Sequence, residues 1–413
     1  MRPSGPLPMP EFVALSAMLF ATIAFSIDAM LPALPQIASD LSPGDANRVQ
    51  LVLTAFVLGM GIGTFFAGPI SDRLGRRTTI TCGIALYIAA SLWAMTAQSL
   101  EALLAARVMQ GLGASGPRVV TLAMIRDLYE GRRMAQVVSF VMTVFILVPA
   151  FAPTLGAGII ALSGTWQGIF GAFVVFGLAG GLWLNLRQPE TLPPEARRPF
   201  RAGPLLAAAR EVLTHRMVLI YIAVLCLGFG QMFALLSSIQ QLYDETFGRG
   251  TYFHFWFMAT GLLSAGGTIL NATLVMRLGM RRLAIAAYAA QTVIAVLLLT
   301  LWGTGLMPGW LAFPAFFFWS TSIFFMAGLT FGNLNALALQ PMGHIAGMAA
   351  SVVGAVSTVL AVPIAAPIGL AFDGTPVPLL AGTAVCSGLA LLLMRRSREI
   401  DPEPKRRPPE GAG

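Results

Sequence analysis

The chain has 413 residues, of which 56% are apolar and 11% charged, with a mean hydropathy of +0.77 and a formal net charge of +8. That balance excludes a water-soluble globular domain, whose apolar share is lower and whose charged share is about twice as high. The positive charge does not indicate nucleic-acid binding, because the basic residues sit in short loops between apolar runs and not on one solvated face.

Crossing ~30 Å of hydrocarbon takes about 20 mostly apolar residues. Twelve stretches meet that length, near 10–36, 49–71, 77–98, 101–126, 134–160, 165–187, 214–242, 250–276, 283–303, 309–337, 345–371 and 376–394. The first follows only Arg2 and Glu11, is too long for the core of a signal peptide and contains Asp28 and Pro32, so it is expected to stay in place as the first span.

Between the second and third spans stands Gly68-Pro69-Ile70-Ser71-Asp72-Arg73-Leu74-Gly75-Arg76-Arg77, and a worn copy, Arg277-Leu278-Gly279-Met280-Arg281-Arg282, follows 204 residues later. A Gly-broken, Arg-rich loop repeated at the same point of each half predicts a duplicated protein, two like bundles facing each other, as secondary transporters are built. Gly75 permits the tight turn. Asp72, where the second span ends, is placed to accept backbone N–H groups or to pair with Arg76 or Arg77.

Ionisable side chains inside hydrocarbon persist where they are paired or line water, which singles out Asp28, Arg107 and Arg118. Asp28 and Arg107 lie at comparable depth, placed to face each other across a cavity. An acid between an apolar cavity and a guanidinium can load and release a proton, whereas Arg keeps its charge throughout, so Asp28 is the expected proton carrier and Arg107 its fixed-charge tuner. Arg118, eleven residues after Arg107, projects from nearly the same helix face; it either binds a polar or anionic substrate group or neutralises Asp28 in one state. Gln110 extends that polar face.

The fifth span carries Pro149-Ala-Phe-Ala-Pro153-Thr-Leu-Gly156, echoed in the eleventh by Pro363-Ile-Ala-Ala-Pro367-Ile-Gly369. Proline bends a spanning helix and glycine allows close approach, so both are expected to be bending and packing elements. Residues 188–213, broken by Pro189, Pro193, Pro194, Pro199 and Pro204, form the linker between a first bundle, 1–187, and a second, 214–395. Leu205, Leu206, Ala209, Val212 and Leu213 predict a short amphipathic helix there, lying on the inner leaflet. The tail, 396–413, rich in Pro, Glu and Arg, is expected to be disordered.

The second half has no mid-membrane acid. Gln231, Asn333 and Asn335 either hydrogen-bond substrate or join helices, and Trp256 and Trp319, with Phe233, Phe324 and Phe325, either line an apolar pocket or pack elsewhere. Cys82, Cys226 and Cys386 lie singly within spans and read as small core residues, with neither disulfides nor a metal cluster expected. Most loop arginines, among them Arg73, Arg76, Arg77, Arg126, Arg132, Arg133, Arg197, Arg198 and Arg201, fall on one side, against Arg48 and Arg249 on the other. By the positive-inside rule both termini face the cytoplasm.

The Gly68 to Arg77 cassette resembles the loop signature of the major facilitator superfamily nearly letter for letter. Arg107-Val-Met-Gln110-Gly111-Leu-Gly113-Ala114 resembles the fourth-span signature of its proton-driven members, and Pro149 to Gly158 the fifth-span signature of its drug exporters. Asp28-Ala-Met-Leu-Pro-Ala-Leu-Pro and Arg126-Asp127-Leu128-Tyr129 further resemble the bicyclomycin and chloramphenicol resistance (Bcr/CflA-like) branch. The resemblance implies an all-α membrane fold of twelve helices in two pseudo-symmetric six-helix bundles, enclosing a cavity lined chiefly by spans 1, 4, 7 and 10. It also implies that Gly68, Asp72, Arg73, Gly75, Arg76 and Arg77 form an inner latch holding the halves together while the cavity faces outward.

An enzyme is disfavoured: His215, His254 and His344 lie far apart, and no HExxH, Walker-type or nucleophile-elbow motif occurs. The expectation is a monomeric, proton-coupled efflux antiporter of a bacterial-type inner membrane. It exports small, moderately apolar compounds and needs no cofactor beyond the proton gradient. Its partners are that substrate, protons and the lipid bilayer, with no nucleic acid. The alternatives are an importer or uniporter on the same fold, and a non-transporting membrane receptor or assembly factor.

Overall fold

In the computed structural model, which describes residues 7–197, 199 and 202–400, secondary structure is helical throughout the described residues. The first span is two helices, α1 (Met9–Asp28) and α2 (Leu34–Leu41), joined by a 3-10 turn at Leu31–Ala33. Pro32 causes the break, because it has no N–H to return to the carbonyl four residues earlier, that of Asp28. The rest of the first half is α3 (Leu51–Leu74), α4 (Arg76–Met95), α5 (Leu100–Leu128), α6 (Gly131–Ser163) and α7 (Gln167–Arg187). Helix α8 (Ala202–Thr214) crosses to the second half, which comprises α9 (Arg216–Gln241), α10 (Phe253–Leu278), α11 (Met280–Gly303), α12 (Gly309–Leu339), α13 (Ala346–Leu370) and α14 (Val377–Ile400).

Ten helical stretches among the described residues are long and apolar enough to cross a membrane, and one of them, Gly309–Leu370, is α12 and α13 joined by a tight turn. Helix α5, whose apolar run is diluted by Arg107 and Arg118, brings the spans to twelve. Its start is set by Ser99, whose hydroxyl accepts the Ala102 N–H at 3.2 Å.

Packing repeats with a shift of six spans. In the first half α3 lies on α5, α4 on α5 and α7, and α1 on α6. In the second, α10 lies on α12, α11 on α12 and α14, and α9 on α13. The halves meet through α3 against α13 and α6 against α10, contacts that the same shift interchanges. The cassette loops repeat too: Gly75 (φ 99°, ψ 158°) and Gly279 (φ 84°, ψ 154°) share a conformation open to glycine and strained for other residues. The copies differ in chemistry, since Met276 and Met280 stand where the first half has Asp72 and Arg76.

Helix α5 sits so close to α3 that a Cβ at Gly111 would fall 2.1 Å from the Phe56 carbonyl oxygen. Gly111→Ala is therefore expected to force the two backbones apart and lower the melting temperature of purified protein by several degrees; an unchanged melt would show that α3 can shift freely.

Helix α8 packs on α13 and α9, burying Leu205, Ala208 and Val212, while Leu206 and Leu213 stay exposed. The predicted apolar stripe thus divides between protein and surroundings. Glu211 on α8 also meets His344 at 2.8 Å. Cys226 and Cys386 are buried as expected, whereas Cys82 is exposed on α4. Arg198, Arg201 and the tail from 401 lie outside the described residues.

Candidate functional site

Between the halves lies a cavity of about 540 Å³. It is walled by α1, α3, α5, α6, α9, α10, α12 and α13, so the expected spans 1, 4, 7 and 10 are joined by spans 2, 5, 8 and 11. Helical periodicity supplies the wall. On α1 it is Phe20, Ile23, Ala24, Ile27 and Asp28; on α9, Phe229, Met232, Phe233 and Leu236; on α12, Phe324, Gly328, Phe331, Gly332 and Asn335. The lining is mainly apolar, with seven phenylalanines, and among the described residues its only ionisable groups are Asp28 and Arg118.

Asp28 closes the α1 stripe in the last turn of that helix and is 5% exposed. Its carboxyl group makes no hydrogen bond or ion pair within 4.0 Å among the described residues, so its polar atoms are left to water or a solute in the cavity. Arg118 lies on α5, and among the described residues its hydrogen bond is from Nη1 to the Met60 sulfur at 3.9 Å.

Arg107 is placed differently from the sequence expectation. It shares the helix face of Arg118, but at its level α1 and α3 close over α5, and it is fully buried outside the cavity wall. It donates to the Ser26 carbonyl (3.1 Å), the Val52 carbonyl (3.2 Å) and Gln110 Oε1 (2.5 Å), and lies over the Phe56 ring at 4.5 Å. Carbonyls in the last turn of α1 lack helical partners, which is why Ser26 can accept. Gln110 passes the network to Ser91 (2.7 Å), and Ser26 Oγ meets the Tyr87 hydroxyl (2.7 Å). Arg107 therefore ties three helices from within the first bundle and does not face Asp28.

Of the other residues expected at the cavity, Asn335 is in the wall, as are Phe233 and Phe324, while Gln110, Gln231, Asn333, Trp256 and Trp319 are not. Rotation explains this at about 100° per residue. Gln231, Asn333 and Trp319 point roughly opposite to the lining stripes of their helices. Gln231 accepts from Ser387 on α14 (3.1 Å), Asn333 donates to Asn271 on α10 (2.7 Å), and Trp319 is fully buried beside Phe316. Trp256 packs on Phe313 and Phe317, under the Arg249 guanidinium. Phe325 also lies outside the wall, its carbonyl close to Gly267 of α10. Pro149 lines the cavity; next to it Ala150 abuts Gly261 of α10, and Gly156 lies against the Ala29 carbonyl. In α13, Pro363 and Pro367 flank Ile364, which packs on Gly230 of α9.

The two ends of the molecule differ. At the end carrying the arginine-rich loops, Arg76 bonds Asp72 (2.5 Å), Asp127 (3.0 Å) and Ser71 (2.7 Å). Glu190, at the start of the linker, accepts the backbone N–H groups of Arg76 (2.8 Å) and Arg77 (3.1 Å), capping α4. Arg77 also binds Asn185, and Gly68 faces Ser351 of α13. The sequence reading named Asp72, Arg76 and Arg77, quoted Asp127 without joining it to them and missed Glu190; no local spacing pointed to Glu190, which lies 114 residues from Arg76. The ionic partners of Arg76 all belong to the first half.

At the opposite end, amides bridge the halves. Gln50 donates to Gln241 (2.9 Å) and accepts from Ser238 (2.9 Å), and Asn47 donates to the Phe372 carbonyl (2.7 Å). The cavity runs from Asp28 towards Thr268 and Gly332, which are exposed and lie nearer the C-terminal ends of α10 and α12, on the side of the Arg277 loop. The structure is thus sealed at the amide end.

Comparison with known proteins agrees with this geometry. The sequence profile of the Major Facilitator Superfamily matches residues 14–369. The chain is 30% identical over 383 residues to an uncharacterized MFS-type transporter, YdgK, of Bacillus subtilis, covering 90% of this chain and 92% of the relative. It is 28% identical over 341 residues to a bicyclomycin resistance protein homolog of Haemophilus influenzae, covering 80% and 82%. The xylose transporter XylE from E. coli, in a partially occluded inward open conformation, superposes with a TM-score of 0.72 over 97% of this chain and 99% of that one; at 14% identity the likeness concerns the fold alone. With two interchangeable bundles around a central cavity, the arginine-rich cassette and a profile match over most of its length, the chain belongs to the Major Facilitator Superfamily of membrane transporters.

Proposed function

We propose that this transporter is a proton-coupled efflux antiporter for small, moderately apolar compounds, acting by alternating access in a bacterial inner membrane. The observation that carries the reading is Asp28: a carboxyl group on the wall of an apolar cavity between the two halves, with no hydrogen-bond partner among the described residues. Proton and substrate then compete for it. A proton arriving from outside displaces the substrate, and its departure to the cytoplasm readies the site for the next one. The phenylalanine-rich wall suits varied apolar bodies, and the likeness to a bicyclomycin resistance protein homolog supports drugs or related metabolites as cargo.

In this reading the arginine-rich end faces the cytoplasm with both termini, and the open path of the cavity leads there. The halves are 1–187 and 214–395, 188–213 is the linker, and one copy of the chain suffices for transport. No cofactor is required, the proton gradient being the energy source. Arg107 contributes by holding the last turn of α1, and so Asp28, in place. The cassette acts as the latch of the opposite state: when the cytoplasmic ends close, the Asp72–Arg76–Asp127 cluster comes to face the second half beside Ser351 of α13.

The test is accumulation of a panel of labelled antibiotics in intact cells expressing the protein. Accumulation should fall relative to empty cells and recover when an uncoupler collapses the gradient. Expression that raises accumulation would identify an importer instead. Asp72→Asn should leave the amount of membrane-inserted protein unchanged, by immunoblot, while reducing export about tenfold; undiminished export would remove the latch.

A further inference from the structure

Asp28 on α1 and Arg118 on α5 line one apolar cavity from neighbouring helices of the first half, at different depths, and neither satisfies the other. Among the described residues that line it, from eight helices, they are the only ionisable ones. Among the described residues Asp28 makes no ion pair within 4.0 Å, and Arg118 makes one hydrogen bond, to a thioether sulfur at 3.9 Å, a weak acceptor. Their depths differ. Arg107 is level with Ser26, two residues before Asp28, and Arg118 lies eleven residues further along α5, about 16 Å at 1.5 Å per residue. Helical side chains lean towards the N-terminus of their own helix. Helices α1 and α5 run in opposite directions, so Asp28 leans down towards Arg118 and Arg118 leans up towards Asp28, leaving a gap longer than a hydrogen bond.

We infer that the cavity is built for an amphoteric substrate: an aromatic or aliphatic body carrying a cationic group for Asp28 at one end and an anionic group for Arg118 at the other. This rests on the proton-exchange reading and narrows its substrate class. The sign of the coupling selects the pairing. A purely anionic substrate at Arg118 would place negative charge near Asp28 and favour its protonation, so proton and substrate would travel together and not exchange. A purely cationic substrate would compete with the proton but leave the guanidinium facing like charge in an apolar cavity. A substrate with both groups competes with the proton at Asp28 and neutralises Arg118.

The experiment uses purified protein in lipid nanodiscs and two scaffolds, 4-(aminomethyl)benzoic acid and 4′-(aminomethyl)biphenyl-4-carboxylic acid. Each is compared with its methyl ester, its N-acetyl derivative and its N-acetyl methyl ester, with Kd measured by calorimetry. At least one zwitterion should bind tenfold or more tightly than each of its three relatives. The preference should vanish in Arg118→Gln and in Asp28→Asn and persist in Arg118→Lys, with size-exclusion profiles confirming that the variants are folded. Absence of any zwitterion preference, including no binding of either zwitterion, overturns the inference, as does a preference intact in Arg118→Gln. The uncoupler-sensitive export assay in cells uses none of these compounds. Export retained without zwitterion preference therefore removes this inference alone, and zwitterion preference without uncoupler-sensitive export removes the antiport reading alone.

Discussion

Asp28→Asn is expected to reduce proton-driven uptake into inverted vesicles at least tenfold while leaving the protein folded and in the membrane. The amide keeps the shape of the carboxyl group but exchanges no proton in the physiological range, so the step that links substrate release to proton entry is lost. Folding should not suffer, because Asp28 has no hydrogen-bond partner among the described residues to lose and a neutral amide is less costly than a carboxylate in apolar surroundings. Thermal melting of the variant should therefore match or exceed that of the wild type. Substrate-for-substrate exchange without a gradient should survive at saturating substrate, since alternation itself needs no proton even where the loss of the carboxylate weakens binding. Asp28→Glu should keep part of the coupled flux. Full proton-driven uptake by Asp28→Asn would mean that another group carries the proton.

Arg107→Met should have the largest effect on stability, about 3 kcal/mol or more, read as a drop of several degrees in the melting temperature. The guanidinium donates to the Ser26 and Val52 carbonyls and to Gln110 Oε1, and in the variant these acceptors lose their partner inside a dry bundle. Arg107→Lys should rescue only in part, because an ammonium cannot match the planar fork that reaches α1, α3 and Gln110 together. Gln110→Ala should cost less, since Arg107 keeps both backbone acceptors. A wild-type melt for Arg107→Met, with an altered pH profile of transport, would restore Arg107 to the role of charge tuner that its spacing suggested.

The relation between these two residues shows where sequence reading stops. Both are ionisable residues in apolar spans, and both were found on that ground alone. Their depth is also legible, because rise per residue is fixed. What the sequence does not carry is the height at which the neighbouring helices close. Arg107 and Arg118 share one face of α5, yet the first is roofed by α1 and α3 and the second opens on the cavity. Rotation was more accessible: lining stripes on α1, α9 and α12 follow i, i+3, i+4, i+7 spacing, and applying it would have kept Asn335 and set aside Gln231, Asn333 and Trp319. That requires knowing which face looks inward, and in a helix that is apolar all round no hydrophobic pattern marks it.

By itself, then, the sequence determined the class of molecule, the twelve spans, the duplication and the cassette turn, because each follows from local or periodic physics: hydrocarbon thickness, proline and glycine conformations, and repetition of a motif. Tertiary structure decided which buried polar groups meet. Glu190 caps a helix more than a hundred residues away in the chain, Gln50 joins Gln241 across the two halves, and Asp28 shares a cavity with Arg118 and not with Arg107. Those pairings depend on how bundles of nearly uniform apolar helices rotate and slide against one another. In hydrocarbon that is settled by close packing at glycines and by a few buried hydrogen bonds, neither of which leaves a periodic trace along the chain.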